Sequence, residues 1–169
     1  MLIWINGAYG AGKTSVGRAL AKRLPGARIF DPEKIGFLLT KIEPLPRGGD
    51  FQDLPLWRKL TVETAAGLAR DERPLIVPMT LATPGYFDDI MEALYRLGID
   101  LRHFTLVASD RTIRLRLLRR LARPAATRWT LAQVERCTGE LAKPRYAVHI
   151  STEGRGARSV AGEIAATLR

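Results

Sequence analysis

The chain has 169 residues and a net charge of +10, with 46% hydrophobic and 26% charged residues, which predicts one soluble domain with a buried core. No apolar stretch is long enough to span a bilayer, and glycines and Lys13 interrupt the N-terminus before a signal peptide can form. A single cysteine, Cys137, excludes an intramolecular disulfide, and the isolated His103 and His149 argue against a zinc site, so we expect a cytoplasmic protein.

Short apolar runs alternate with segments of helical periodicity along the chain. The predicted strands are Leu2–Asn6, Ala27–Asp31, Leu75–Met79, His103–Ser109 and Tyr146–Ile150. The predicted helices are Lys13–Leu24, Pro32–Lys41, Leu56–Arg70, Tyr86–Leu97, Asp110–Leu121, Leu131–Leu141 and Ser159–Leu168. Two aperiodic segments, Glu43–Pro55 and Arg123–Thr130, are expected to be loops, and the second of them a mobile one.

Strands that alternate with helices over short connections predict a parallel sheet covered on both faces. The expected fold class is α/β: one three-layer α/β/α domain over residues 1–169 with a five-stranded parallel sheet. Pro78 is expected to place the end of the third strand near the sheet edge or at its C-terminal rim. Ligands of such sheets bind beyond the carboxyl ends of the strands, which brings Asn6–Thr14, Asp31, Met79-Thr80 and Ser109-Asp110 to one rim.

The stretch GAYGAGKT, from Gly7 to Thr14, follows the first strand and opens the first helix with the full spacing of a phosphate-binding P-loop. Its glycines let backbone N–H groups turn toward a phosphate, and the helix adds the positive end of its dipole. Lys13 is expected to reach the β- and γ-phosphates, and Thr14 to offer its hydroxyl to Mg²⁺. The expected cofactors are ATP and Mg²⁺, and the predicted nucleotide-binding residues are Gly7, Ala8, Tyr9, Gly10, Ala11, Gly12, Lys13, Thr14 and Ser15.

The positions of asparagine and of the carboxylates indicate which nucleotide and which reaction to expect. Asn6 is the single asparagine, which excludes the Asn-Lys-x-Asp signature for guanine and favours ATP. The third strand runs to Thr80 without the carboxylate of a mechanical ATPase, whereas the second ends at Asp31, with Glu33 two residues on. Asp31 can hold Mg²⁺ through water or accept the proton of a substrate hydroxyl, and Glu33 can take the second role. Both also suit the start of the helix at Pro32.

A basic segment, RTIRLRLLRRLAR, follows the fourth strand. Phosphoryl transfer needs positive charge on the transferring oxygens, and arginines on a closing lid supply it while the lid excludes water. Arg116 and Arg120 share one helix face and are expected at the catalytic site, where they also bind the nucleotide, beside a lid at about 119–131. For Arg128 and Arg136, two alternatives stay open: a place at the catalytic site or a place on the solvated surface. Arg111, Arg114 and Arg119 are expected to be solvated. The basic residues are not interleaved with aromatics, so no nucleic acid partner is expected.

The region at about 32–60 is expected to bind the acceptor, because loops and large side chains follow the candidate carboxylates there. A mixture of aromatic and polar side chains suits an amphipathic acceptor with sugar-like hydroxyls. Phe37 and Trp57 can equally be core residues. The predicted acceptor-binding residues are Asp31, Lys34, Phe37, Phe51, Asp53, Trp57, Thr80 and Arg136.

The blocks MLIWINGAYGAGKT, FDPEKIGF, DFQDLPLW, LIVPMT, HFTLVAS and the ERC around Cys137 resemble the tunicamycin-resistance ATP-binding proteins, in order over nearly the whole chain. The resemblance implies a P-loop fold similar to nucleotide and shikimate kinases, ATP and Mg²⁺ binding, and resistance to a nucleoside antibiotic. It places ATP at Gly7, Gly12, Lys13 and Thr14, kinase carboxylates at Asp31 and Glu33, and lid arginines at Arg116 and Arg120. Family members can carry a longer C-terminal tail linked to membrane association, and because this chain ends at Arg169 no stable membrane insertion is expected.

These observations favour an ATP-dependent phosphotransferase that acts on a hydroxyl of a nucleoside- or sugar-like small molecule such as tunicamycin. The alternative is a protein that sequesters the antibiotic and uses ATP only to order its lid. A third hypothesis, an ATPase acting on nucleic acid, predicts ATP turnover stimulated by DNA or RNA.

Overall fold

The strands of the protein form one parallel sheet in the order β2-β3-β1-β4-β5 among the residues that the computed structural model describes, which are 1–45, 49–119 and 124–168. The strands are β1 Leu2–Gly7, β2 Arg28–Ile29, β3 Leu75–Pro78, β4 Leu101–Val107 and β5 His149–Ser151. The helices are α1 Lys13–Ala21, α2 Glu33–Ile42, α3 Pro55–Leu68, α4 Pro84–Arg96, α5 Asp110–Leu118, α6 Pro124–Ala132, α7 Val134–Leu141 and α8 Ala157–Thr167. Short 3₁₀ turns stand at Phe51–Asp53 and Pro144–Tyr146.

The central strand β1 is paired in parallel on both sides and covered on both faces. All six of its residues are buried, and it pairs with β3 and β4 in parallel, with Ile5 opposite Pro78 and Phe104. Leu2 and Trp4 pack in one apolar cluster with α3 and α4, whereas Ile3 and Ile5 pack in the other with α1 and α8. The alternation of side chains along one strand thus fills two cores. The predicted three-layer fold with five parallel strands is confirmed.

Pro78 lies at the C-terminal end of β3, between two neighbouring strands, so of the two expected placements the rim is correct and the sheet edge is wrong. The second strand is shorter than expected, and α2 begins at Glu33 behind Pro32. The side chain of Asp31 still caps this turn, because its Oδ1 accepts the N–H of Glu33 at 3.1 Å.

The predicted loop over Arg123–Thr130 is wrong, because α6 occupies residues 124–132. The helix starts at a proline, whose fixed φ suits a first helical position, and two alanines follow it. The proline is therefore a signal for the first residue of a helix, and the interpretation of this segment as a loop missed it. The lid at 119–131 stays a prediction, and the part of it at 120–123 lies outside the described residues.

Candidate active site

The P-loop joins β1 to α1 through two glycines in left-handed conformations, Gly10 at φ 91° and Gly12 at φ 99°. A side chain at these φ values is strained, which explains the residue type. A Cβ on Gly7 would lie 2.8 Å from the backbone oxygen of Leu106, so the loop is packed closely against β4. A Cβ on Gly12 would meet nothing within 4 Å. The loop is thus packed against β4 at Gly7, whereas the space beside Gly12 is open.

Two buried polar side chains hold the loop to the end of β3. The Asn6 side chain accepts the N–H of Gly7 at 2.8 Å and that of Leu81 at 2.9 Å, and donates to the Leu81 oxygen at 3.0 Å. Thr80 is 2% exposed, and its hydroxyl donates to the Gly7 oxygen at 2.9 Å. Thr80 therefore positions the loop, and its predicted role as a hydroxyl partner of the acceptor stays a prediction. Asn6 was missed as a site residue, although a polar residue at the end of a buried strand was a usable signal.

The side chain of Lys13 lies over the P-loop, where it was predicted to bind phosphate. Its Nζ donates to the backbone oxygens of Gly7 and Ala8, each at 3.0 Å, and stands 5.6 Å from the centre of the Tyr9 ring. Thr14 and Ser15 are exposed at the start of α1. The ammonium group and the Thr14 hydroxyl are thus placed where a phosphate chain on the loop amides would meet them.

A first cavity of about 320 Å³ lies between the P-loop glycines and Arg116 of α5. Its lining residues are Gly10, Ala11, Gly12, Ser15, Val16, Arg116, Arg119, Thr152, Arg155, Ala157 and Val160. The guanidinium of Arg116 donates to Thr152, to Oγ1 at 2.9 Å and to the backbone oxygen at 2.6 Å. Arg119 was expected to be solvated only, yet it lines this cavity. Arg116 lies beside the loop glycines rather than with the carboxylates, and Arg120 lies outside the described residues.

A second cavity of about 440 Å³ brings together three of the predicted catalytic residues, Lys13, Asp31 and Glu33. Its polar lining includes Lys13, Thr14, Asp31, Glu33 and Asp50. The larger apolar part of its lining consists of Tyr9, Phe37, Leu45, Phe51, Pro78, Leu117 and Trp129. Burial raises the pKa of Glu33, the neighbouring Asp31 raises it further, and Lys13 opposes the shift. Glu33 therefore keeps a proton to a higher pH than an ordinary carboxylate, which suits a proton-transfer role.

The aromatic residues predicted for the acceptor divide into two groups. Phe37 is 56% exposed and meets the edge of Phe51 at 5.9 Å between ring centres, so the core alternative for Phe37 is wrong. Trp57 is fully buried, and its indole N–H donates to the Pro32 oxygen at 3.0 Å, so Trp57 belongs to the core and supports the turn beside Asp31. Lys34 is exposed on α2, outside the lining of the second cavity.

A third cavity of about 230 Å³ adjoins the second and shares Tyr9, Asp50 and Trp129 with it. The remaining lining residues are Gln52, Asp53, Thr80, Ala82, Thr83, Tyr86, Gln133 and Arg136. The Tyr86 hydroxyl donates to Asp53 at 2.9 Å, and Asp53, predicted as a hydroxyl partner of the acceptor, lines this cavity. The missed residues of this region are Asp50, Trp129 and Gln133. The spacing of Asp50 and Asp53 around a short turn was a detectable capping signal, whereas Trp129 lay in a segment predicted to be a loop.

The residues fit a magnesium ion that is bound together with a nucleotide. Thr14 and Asp31 line one cavity and present a hydroxyl and a carboxylate, the oxygen ligands that Mg²⁺ prefers, and Mg²⁺ takes few protein ligands when phosphates supply others. Within the described ranges, no group of three His, Cys, Asp or Glu side chains could hold a metal by itself. Nor does any described helix have the length and apolar character needed to cross a membrane.

The chain is similar to known proteins over most of its length. A family profile described as AAA domain matches residues 2–144. The tunicamycin resistance protein of Deinococcus radiodurans is 32% identical, with 99% of this chain and 94% of that chain covered and a TM-score of 0.82. A gluconokinase from Sinorhizobium meliloti 1021 is 20% identical, covering 98% and 94% with a TM-score of 0.64. The shikimate kinase of Bacteroides thetaiotaomicron is 19% identical, covering 99% and 98% with a TM-score of 0.64. No curated protein matches the sequence.

Proposed function

This chain belongs to the AAA domain family and to the tunicamycin-resistance proteins, and from that premise we propose that it transfers the γ-phosphate of ATP to a hydroxyl of a small molecule. The observation that carries the proposal is the second cavity, which is lined both by Lys13 and Thr14 of the P-loop and by Asp31, two residues after β2. A phosphate donor and a hydroxyl acceptor would meet between these groups. The similarity to a tunicamycin resistance protein supports a nucleoside or sugar antibiotic such as tunicamycin as the acceptor.

The nucleotide side of the proposal rests on the P-loop and the first cavity. The amides between Gly7 and Lys13 form the cradle for the phosphates, and ATP with Mg²⁺ supplies the transferable group and the positive charge on it when bound. Thr14 would hold the ion through its hydroxyl, and Asp31 would reach it only through water, which leaves the carboxylate able to accept a proton. The first cavity lies on the outer side of the same glycines, and Arg116, fixed on Thr152, offers a flat cation for the rest of the nucleotide.

The chemical step requires a bond between the acceptor oxygen and the γ-phosphorus, while the bond from that phosphorus to the bridging oxygen breaks and ADP leaves. The hydroxyl proton goes to Asp31, with Glu33 as the second carboxylate within the cavity. The Lys13 ammonium stabilises negative charge that develops on the transferred group. The apolar walls of the cavity limit water, which protects ATP from hydrolysis.

The experiment is incubation of the full chain with ATP, Mg²⁺ and a panel of nucleosides, sugars and tunicamycin, followed by mass spectrometry for a gain of one phosphoryl group. We expect Asp31→Asn to lower kcat by about 10²–10⁴-fold, the usual share of general acid–base catalysis, with ATP affinity nearly unchanged. Asp100→Asn is the matched control, because Asp100 pairs with Arg102 at the surface, away from the cavities.

A second readout separates transfer from sequestration. In a tunicamycin-sensitive bacterium, the chain should confer resistance, and Asp31→Asn should abolish it. If Asp31→Asn binds ATP and tunicamycin normally and still confers full resistance, transfer chemistry is refuted as the mechanism. Turnover of ATP stimulated by DNA or RNA would indicate the nucleic acid ATPase instead.

A further inference from the structure

The third cavity differs from the second in chemical character, although the two are adjacent. The second is walled largely by apolar side chains, whereas the third is lined by carboxylate, amide, hydroxyl and guanidinium groups. Tyr9, Asp50 and Trp129 form the shared wall. A molecule whose hydroxyl reacts beside Asp31 therefore has a polar space available for a second part of its structure.

The hydrogen bonds in the third cavity decide which groups face the space. Both oxygens of Asp53 are used, because Oδ2 accepts the N–H of Asp50 at 2.9 Å and Oδ1 accepts the Tyr86 hydroxyl. Arg136 uses Nε to donate to Gln133 Oε1 at 2.9 Å, which holds its planar head beside the cavity. Asp50 uses Oδ1 for the N–H of Gln52 at 3.0 Å. The Asp50 side chain also has a hydrogen bond with Tyr9, and Arg136 lies close enough to interact with the carboxylate electrostatically. A carboxylate accepts more than two hydrogen bonds, so Asp50 can still accept one from a ligand in this cavity.

Asp50 and Arg136 thus bring a hydrogen-bond acceptor and a hydrogen-bond donor to the same cavity, which Tyr9 and Trp129 also line. Two neighbouring hydroxyls of a sugar-like ring satisfy such a pair, because one donates to Asp50 while the other accepts from Arg136. The rings of Tyr9 and Trp129, which meet at 5.3 Å between centres, offer an apolar surface for the C–H face of such a ring.

The local charge argues against an anionic ligand. The described carboxylates of the two cavities outnumber the described cations: Asp31, Glu33, Asp50 and Asp53 against Lys13 and Arg136. Lys13 contacts the phosphate loop, so among these described residues Arg136 is the cation that can balance the negative charge of the carboxylates near the acceptor. Burial raises the pKa of Asp50 and Asp53 raises it further, whereas the hydrogen bonds from Gln52 and Tyr9 and the nearby Arg136 oppose the shift; the net direction is upward, so an added negative charge is unfavourable there.

We propose, building on the phosphotransferase function above, that the third cavity binds an uncharged, hydroxyl-bearing part of the acceptor between Asp50 and Arg136, and that anionic acceptors are rejected. The acceptor is then an extended neutral molecule. Its reacting hydroxyl lies beside Asp31 in the second cavity, and a second polar group lies in the third cavity, on the other side of Tyr9. Gluconate and shikimate, which carry carboxylates, fall in the rejected class.

The test compares binding of matched neutral and anionic molecules to the full chain with ADP and Mg²⁺, by ligand-detected NMR. The pairs are uridine with uridine 5′-monophosphate, and methyl shikimate with shikimate. We expect the neutral member to bind at least about tenfold more tightly in each pair, the effect of one added charge at several ångströms from a partly buried carboxylate. The preference should weaken at least about threefold in Asp50→Asn, because asparagine keeps the cap of the 3₁₀ turn but removes the charge.

The control is Asp100→Asn, which should keep the wild-type preference. Equal affinity within the pairs, tighter binding of the anionic members, or no measurable affinity for any of them overturns the proposal. So does an unchanged preference in Asp50→Asn when its fold is intact by circular dichroism. Binding without transfer is measured here, so failure of the phosphotransferase proposal is recognised separately, as neutral ligands that bind but gain no phosphoryl group from ATP.

Discussion

Gly36, in α2, faces the ring of Phe51, and replacing it with alanine tests how tightly the acceptor wall is packed. A Cβ on Gly36 would lie 2.6 Å from Cδ2 and 2.7 Å from Cδ1 of Phe51, well inside van der Waals contact. Phe51 cannot retreat freely, because its ring lies 5.3 Å from the buried Trp57 ring and 5.9 Å from that of Phe37. The added methyl group must therefore displace the ring or the helix.

The magnitude follows from two opposing contributions. Alanine stabilises a helix interior by about 1 kcal/mol relative to glycine. Forcing extra volume into a packed site costs about 1–3 kcal/mol. For Gly36→Ala we expect a net loss of about 1 kcal/mol in the free energy of unfolding, with weaker acceptor binding because Phe51 lines the second cavity.

Gly162→Ala is the matched control in α8, where a Cβ would meet only the end of the Arg23 side chain at 3.6 Å. This variant keeps the helix gain without the clash, so we expect it to raise the free energy of unfolding by about 0.5–1 kcal/mol. Urea denaturation of both variants measures the two values, with similar m-values as the check on two-state unfolding. If Gly36→Ala is as stable as Gly162→Ala, the packing argument for the acceptor wall is refuted.

Further variants test other contacts of the site. Trp57→Phe removes the indole N–H that the Pro32 oxygen accepts, so we expect urea denaturation to show a loss of about 1–3 kcal/mol, and no loss would contradict the supporting role. Arg116→Lys keeps the charge but not the two-pronged contact with Thr152, so ATP should bind about 3–10-fold more weakly by calorimetry. Burial lowers the pKa of His103 from 6.5 to about 4, so the unfolded state binds more protons between these values, and stability should fall as the pH drops from 6.5 to 4. An NMR titration of His103 near 6.5 would contradict this.

Several elements of the site were predictable because their signals are local. The P-loop needs glycines at fixed spacing, and the strand before it and the helix after it are adjacent in sequence. Asp31 was identified because the carboxyl ends of parallel strands share one rim, so a carboxylate after the second strand is expected on the same rim as the loop after the first. The structure places Lys13, Thr14, Asp31 and Glu33 on one cavity, although β3 lies between β1 and β2.

Other features could not be predicted, because a residue's environment depends on segments that are distant in sequence. Whether Trp57 faced the ligand or the core depended on the Pro32 carbonyl, 25 positions earlier. Thr80 was correctly placed at the rim, but its hydroxyl is directed to the Gly7 oxygen, 73 positions away. Hydrophobic periodicity identifies the buried face of an element but not the partner of a polar group on it.

The sequence by itself determined the nucleotide-binding turn, the parallel sheet and the carboxylates at its rim, because spacing, periodicity and chain direction are properties of neighbouring residues. Only the tertiary structure decided the division of the acceptor region into an apolar and a polar cavity. That division depends on Tyr9, Asp50 and Trp129, which come from three separate segments and meet only when α6 and the turn before α3 pack over the P-loop. No local pattern fixes such a meeting, since it follows from the packing of whole elements.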